Sequence, residues 1–187
     1  MFGLILFIIL VAVIIIVQIT AQSQDPSNYQ KPFSGGTSSN QGGNLPNISS
    51  IVIIFGKNSA SMDYEAAKFI KNNLLTNYNV KLVYDTNYVD DGSSSIISIG
   101  GSCINRVSSQ LLSLDYPKCG NDFTAKTKVS QNQYLIKTSS LSNNRIAILI
   151  AGYEAVDTWN AADYFNTLSI NNMTTNINII ESNDLSL

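Results

Sequence analysis

The sequence has no histidine and few charged residues. Charged side chains make up 13 % of the 187 residues and leave a net charge of −2, whereas soluble domains usually carry about 25 % charged residues. The lack of histidine removes the commonest general base and metal ligand. Because there is no basic excess, the composition does not favour binding to nucleic acid or anionic lipid. We therefore expect no cofactor and no nucleic-acid partner.

Charge is absent altogether from residues 1–24. Residues 1–19 are nearly all apolar, with Gln18 the only polar interruption. About 20 apolar residues form a helix long enough to cross a hydrocarbon core of about 30 Å. We therefore predict a hydrophobic helix over 1–22 that lies in a membrane or in a filament core. The apolar residues expected to form its packing surface are Leu4, Leu6, Phe7, Ile9, Leu10, Val13, Ile14, Ile16 and Val17.

The flanks of this helix distinguish three interpretations. No Lys or Arg precedes Lys31, although signal peptides and signal anchors normally carry basic residues near the apolar run. The pattern resembles the mature N-terminus of type IV pilins and archaellins, whose basic leader is removed. Ile5 stands where bacterial pilins carry Glu. The resemblance implies a helix that sits first in the membrane and then in a filament core. A plain membrane anchor and a cleaved signal peptide are the alternatives.

A change of composition marks the next segment. Residues 23–49 are rich in Ser, Asn, Gln, Gly and Pro, which is typical of a flexible linker. Asp25 and Pro26 disfavour continuation of the preceding helix. The remaining residues, 50–187, number about 140, which is the usual size of one globular domain.

Strand and helix patterns alternate along this domain. Short apolar runs predict strands at 51–55, 80–84, 96–99, 134–137, 146–150 and 177–180. Apolar stripes predict helices at 63–76, 103–114 and 155–168, the first capped by Ser61 or Asp63 and the last burying Trp159. The fold class is therefore α/β, with a mostly parallel sheet flanked by helices. A hairpin around 139–144 would make the sheet mixed.

Three segments of the domain carry a family resemblance: IVIIFGKNSASMDYEAAKFI, IISIGGSCINRVSSQLL and RIAILIAGYEAVDTWNAADYF. They resemble the repeating units of archaeal S-layer proteins over about residues 50–170, although those proteins are several times longer. The resemblance implies an archaeal source, an extracellular setting and a structural role, with no catalytic residues. The matching positions are Gly100, Gly101, Asn105, Ala151, Gly152, Tyr153, Asp157 and Thr158.

The Gly100–Gly101 turn between a strand and a helix has two interpretations. Its backbone amides could hold an anion, but the full dinucleotide and P-loop patterns are missing. A tight turn with close helix–strand packing is the preferred interpretation. Glu154 and Asp157 near the start of the last helix fit its macrodipole better than acid–base catalysis. No catalytic residues are predicted, and an enzyme is not expected.

Three aspartates follow the second strand. Asp85, Asp90 and Asp91 offer oxygen ligands for a hard cation such as calcium. Their spacing does not match a calcium-binding loop, so we favour a solvated acidic turn and predict no metal site.

Two covalent features fit an oxidising exterior. Cys103 and Cys119 are the only cysteines, and we expect them to form a disulfide rather than remain free thiols. Asn47 and Asn172 begin N-glycosylation sequons, which also arise by chance in an Asn-rich chain.

Together these features predict a non-enzymatic, extracellular cell-surface protein. The leading hypothesis is a subunit of an archaeal type IV pilus-like filament, polymerised with copies of itself through the 1–22 helix after a membrane stage. The alternative is a single-span membrane-anchored S-layer-like protein that binds a partner or a glycan.

Overall fold

The structure is a computed structural model that describes residues 48–168, 170 and 178–182. The predicted assembly helix, almost all of the linker and both sequon asparagines lie outside these residues. None of the helices in the described part of the chain combines the length and the apolar character needed to cross a membrane. The elements are β1 (Ser50–Phe55), α1 (Ser61–Leu74), β2 (Asn79–Tyr84), β3 (Ser95–Ile99), α2 (Arg106–Leu112), α3 (Asn121–Thr127), β4 (Gln133–Leu141), β5 (Arg145–Gly152), α4 (Ala155–Thr167) and β6 (Asn178–Ser182).

The strands form one mixed sheet in the order β2-β1-β3-β5-β4-β6. The first four strands in this order are parallel, and β4 runs antiparallel to both β5 and β6. The predicted hairpin is confirmed by the pairing of β4 with β5. Asn143 and Asn144 in its turn adopt positive φ angles of 61° and 56°, which asparagine tolerates better than most residues.

Helices cover both faces of the sheet. Apolar residues of α1 and α4 share one core with β1, β3 and β5, while α2 and α3 contribute to the cores on the other face. All eight residues of β5 are buried, because a central strand covered on both faces has no solvent-facing side. The predicted α/β class is confirmed for the described residues.

Three helix predictions need correction. α1 begins at Ser61 after Ala60, so neither Ser61 nor Asp63 is its N-cap. The helix expected from residue 103 begins at Arg106, because the side chain of Asn105 caps it. α3 was not predicted. Its seven residues contain two threonines, an asparagine and an aspartate, which are weak helix formers.

Trp159 is only partly buried. Its ring stacks on Phe69 with centroids 5.3 Å apart, and it packs against the core beneath α1 and α4. The predicted contribution of Trp159 to the buried side of the last helix is therefore confirmed, although part of the ring is accessible.

Candidate functional site

The carboxyl-terminal ends of β1, β3 and β5 meet at one edge of the sheet. β1 leads through α1 to β2 on one side, whereas β3 lies on its other side, next to β5. The chain leaves β1 toward one side of the sheet and leaves β3 toward the other side. Such a divergence leaves a crevice at the carboxyl ends of the strands, where open α/β sheets bind ligands. The chain continues directly from these strands through Gly56, Gly100–Gly101 and Gly152.

Glycine is required at two of these positions for different reasons. Gly100 has a φ of +93°, a conformation that other residues rarely adopt. A Cβ atom on Gly152 would overlap the Cβ of Asp157 and the backbone nitrogen of Thr158. Gly101 differs, because a Cβ there would make an ordinary contact of 3.5 Å with Phe123. At Gly100 the positive φ and the Ile104 side chain, 2.7 Å from the position of a Cβ, fit the tight, closely packed turn preferred from the sequence.

Asn105 holds the second connection in place. It is fully buried, and its amide nitrogen donates hydrogen bonds to the carbonyl oxygens of Ile54 at 3.2 Å and Ile99 at 2.9 Å. Its Oδ1 atom accepts from the backbone N–H groups of Val107 at 2.9 Å and Ser108 at 3.3 Å. Asn105 thus joins β1, β3 and the start of α2, and its role is structural.

The predicted disulfide between Cys103 and Cys119 is present. It closes a loop with a sequence separation of 16, which corresponds to a stabilisation of about 3 kcal/mol in the chain-entropy model. Beside it, the hydroxyl of Ser102 donates to the carbonyl oxygen of Lys118 at 2.6 Å, and the Lys118 N–H donates to the Ser102 carbonyl oxygen at 3.3 Å. The bridge and these two hydrogen bonds fix one wall of the crevice.

The crevice contains a pocket of about 280 Å³. The starts of α1 and α4, the Gly101–Ile104 turn, the disulfide and α3 surround it. Among the described residues, its wall contains two acidic and two aromatic residues but no Lys or Arg. The lining residues that matter for recognition are Asp63, Phe123, Tyr153 and Glu154.

Asp63 is the unusual residue of this pocket. Asp63 is only 2 % exposed, and its Oδ1 atom has no hydrogen-bond partner. Burial raises the pKa of Asp63 from 3.8 to about 6, although hydrogen bonding from the Thr158 side chain and the Ala60 backbone opposes the shift. The Asp63 Cγ atom also lies 3.8 Å from the position of a Cβ on Gly100. The neighbour of the Gly100–Gly101 turn is thus a carboxyl group, which disfavours the anion-binding interpretation.

The start of α4 forms the opposite side of the pocket. The Glu154 N–H donates to Asp157 Oδ2 at 3.0 Å, and the side chain of Glu154 completes a capping box. The Gly152 N–H donates to Thr158 Oγ1 at 3.0 Å. The structural role predicted for Glu154 and Asp157 at the helix start is therefore the one that the contacts display.

The three aspartates after β2 have separate partners. Asp85 is 6 % exposed and accepts hydrogen bonds from the N–H groups of Lys57 at 2.8 Å and Arg106 at 3.0 Å. Asp90 forms an ion pair with Arg145 at 2.8 Å. The prediction of a solvated acidic turn is therefore wrong for Asp85, which is buried and bound by backbone donors. Asp90 is an exposed residue that also pairs with the buried Arg145.

Asp91 is also exposed. It accepts hydrogen bonds from the N–H and the hydroxyl of Ser93, which lower the pKa of its carboxyl group. Among the residues that the structure describes, no three acidic, His or Cys side chains come together as a metal site.

The sequence suggested only one role for Asp63, that of a helix N-cap. A signal for its burial was nevertheless present, because Asp63 lies on the same helical stripe as Ala66, Ala67 and Ile70, which the sequence predicted to be buried. An acidic residue at a position on an otherwise apolar stripe indicates a buried carboxyl group. The unpartnered oxygen and the pocket could not be predicted in this way, because they depend on contacts between residues that are far apart in the sequence.

Comparisons with known proteins give no family for this chain. No protein-family model matches the sequence, and a search of curated proteins finds no match.

Proposed function

We propose that the chain is a structural subunit of an extracellular archaeal filament of the type IV pilus kind. The observation that carries the proposal is the uncharged, almost wholly apolar sequence of residues 1–24, which precedes a linker and a single α/β domain. An apolar helix exposed on every face needs lipid or other helices around it. Copies of the same helix bundled in a filament core satisfy this need, and the α/β domains would then be displayed outside.

The disulfide in the α/β domain is compatible with this extracellular setting. The partners we propose are copies of the same chain and, before assembly, a membrane. The role is structural and not enzymatic, and the S-layer-like pattern of the domain supports it. Positions of that pattern such as Asn105, Gly152 and Thr158 make packing and capping contacts.

A second candidate is a single-span membrane-anchored surface protein that binds a partner or a glycan. The pocket at the carboxyl edge of the sheet favours it. The pocket lies at the opposite edge from Ile48, where the described part of the domain begins and the linker joins it.

Electron microscopy of the purified full-length chain separates these two functions. We expect helical filaments from the unmodified protein and none from Leu6→Asp, because a charge in a dry helical core is not solvated. Ser39→Asp in the linker is the matched control, and it should assemble normally. A chain that stays dispersed in membrane fractions, or a Leu6→Asp variant that still forms filaments, would refute the filament proposal.

A further inference from the structure

The carboxyl group of Asp63 is built into the pocket without a full set of partners. Asp63 is only 2 % exposed, and its Oδ1 atom makes no hydrogen bond. A buried polar atom without a partner is costly, and such atoms are rare in folded proteins. Because Asp63 lies in the wall of an open pocket of about 280 Å³, a ligand can supply the missing donor.

The charges around the pocket select the sign of that ligand. Helix N-termini attract anions, but the starts of both α1 and α4 already carry the acidic side chains Asp63, Glu154 and Asp157. No Lys or Arg lines the pocket in the described part of the chain. The only charged side chains that an anionic ligand would meet among the described lining residues are therefore carboxylates, whereas a cation would be attracted.

The remaining surface of the pocket fits a small organic cation. Phe123 and Tyr153 present aromatic rings, and aromatic faces attract ammonium groups. Tyr153 is 36 % exposed, whereas Phe123 is 5 % exposed. The volume is at the lower limit of ordinary ligand pockets, so the ligand must be small.

From this arrangement we infer that the pocket binds a small molecule with a protonated amine, whose ammonium group donates a hydrogen bond to Asp63 and packs against Tyr153. A neutral sugar satisfies the acceptor less well, because its hydroxyl groups bring no charge to a buried carboxylate. The residues from which the site is inferred all belong to the α/β domain, so the inference does not rest on the proposed filament.

The experiment is an NMR titration of the full-length chain in detergent micelles at pH 7, with propylamine, glucosamine and glucose as probes. At this pH both amines are mostly protonated and the Asp63 carboxyl group is mostly ionised. Saturable shifts of the Gly101 and Tyr153 amide signals are expected with propylamine and glucosamine but not with glucose. Asp63→Asn should weaken amine binding at least tenfold. Gly101→Ala, which adds a methyl group to the pocket wall and leaves Asp63 unchanged, should also weaken it. Asp163→Asn on the exposed side of α4 is the charge-matched control and should bind like the unmodified protein.

Three results would overturn the inference. These are the absence of saturable shifts with either amine, equal binding of glucose and glucosamine, and unchanged amine affinity in Asp63→Asn. If Asp63→Asn does not fold, Gly101→Ala decides, and unchanged affinity there rejects the site. Asp63→Asn is expected to leave filament formation intact, so failure of the site and failure of the filament proposal are distinguishable.

Discussion

The two longest helices of the domain begin alike, yet their first acidic residues have different surroundings. Asp63 is the third residue of α1 and Asp157 is the third residue of α4. Both are buried, with 2 % and 1 % exposed. Asp157 accepts the Glu154 N–H within a reciprocal capping box, whereas Oδ1 of Asp63 has no partner.

The difference originates in the residue before each helix. Glu154 has a side chain that can accept a backbone N–H, but Ala60 has none. The α4 start is therefore closed by its own hydrogen bonds, and Gly152 packs directly against it. The α1 start instead leaves its aspartate facing a pocket. The same local signal, an acid in the first turn, thus serves as a cap in one helix and as an open acceptor in the other.

The largest loss of stability is expected where Gly152 packs against the start of α4. Gly152→Ala places a methyl group on the Asp157 Cβ and the Thr158 nitrogen, and we expect it to reduce the free energy of unfolding by about 3 kcal/mol or more, since packed backbone cannot move aside cheaply. Urea denaturation measures the loss. Gly101→Ala is the control and should change stability by less than about 1 kcal/mol. Similar stabilities for the two variants would show that the α4 start is not tightly packed.

The second prediction concerns pH and Asp63. The pKa of Asp63 is about 6 in the folded protein, against 3.8 for an unperturbed aspartate in the unfolded chain. Between about pH 4 and pH 6 the folded state therefore binds more protons than the unfolded state. The contribution of Asp63 to stability is therefore lost as pH rises from about 4 to 6, and it stays lost above 6. Asp63→Asn mimics the protonated form, so at pH 8 it should raise the free energy of unfolding by about 3 kcal/mol.

Denaturation curves at pH 4 and pH 8 measure this difference. At pH 4 the variant and the unmodified protein should have nearly equal stabilities. A variant that is less stable at pH 8 would mean that the carboxylate has partners that fully offset its burial.

The smallest effect is expected at Asp157. Asp157→Ala removes the acceptor for the Glu154 N–H and should cost about 1 kcal/mol, the usual value of a helix cap. Urea denaturation at pH 8 measures the loss. A variant more stable than the unmodified protein, like that expected for Asp63→Asn, would remove the contrast between the two helix starts.

Much of the architecture could be predicted from local patterns. The strands, α1 and α4 follow from apolar periodicity, and the disulfide follows from the only two cysteines. The start of α2 and the existence of α3 could not be predicted in this way. Asn105 ends one turn and caps the next helix through contacts with β1 and β3, and α3 depends on the burial of Phe123 and Thr127 more than on helix propensity.

The candidate site was less predictable than the fold. Its glycines were visible in the sequence, but the pocket forms only where the ends of three strands meet. Asp85 and Asp90 also have different partners, which depend on long-range contacts. Arg145 on β5, for example, binds Asp90 from 55 residues further along the chain. No short motif contains that information.

The most direct test of the account is the titration of the Asp63 side-chain carboxyl carbon by ¹³C NMR in the full-length chain. The account predicts a midpoint near pH 6, shifted downward when propylamine is present, because the ammonium group stabilises the carboxylate. A midpoint near 3.8 that does not respond to propylamine would contradict it.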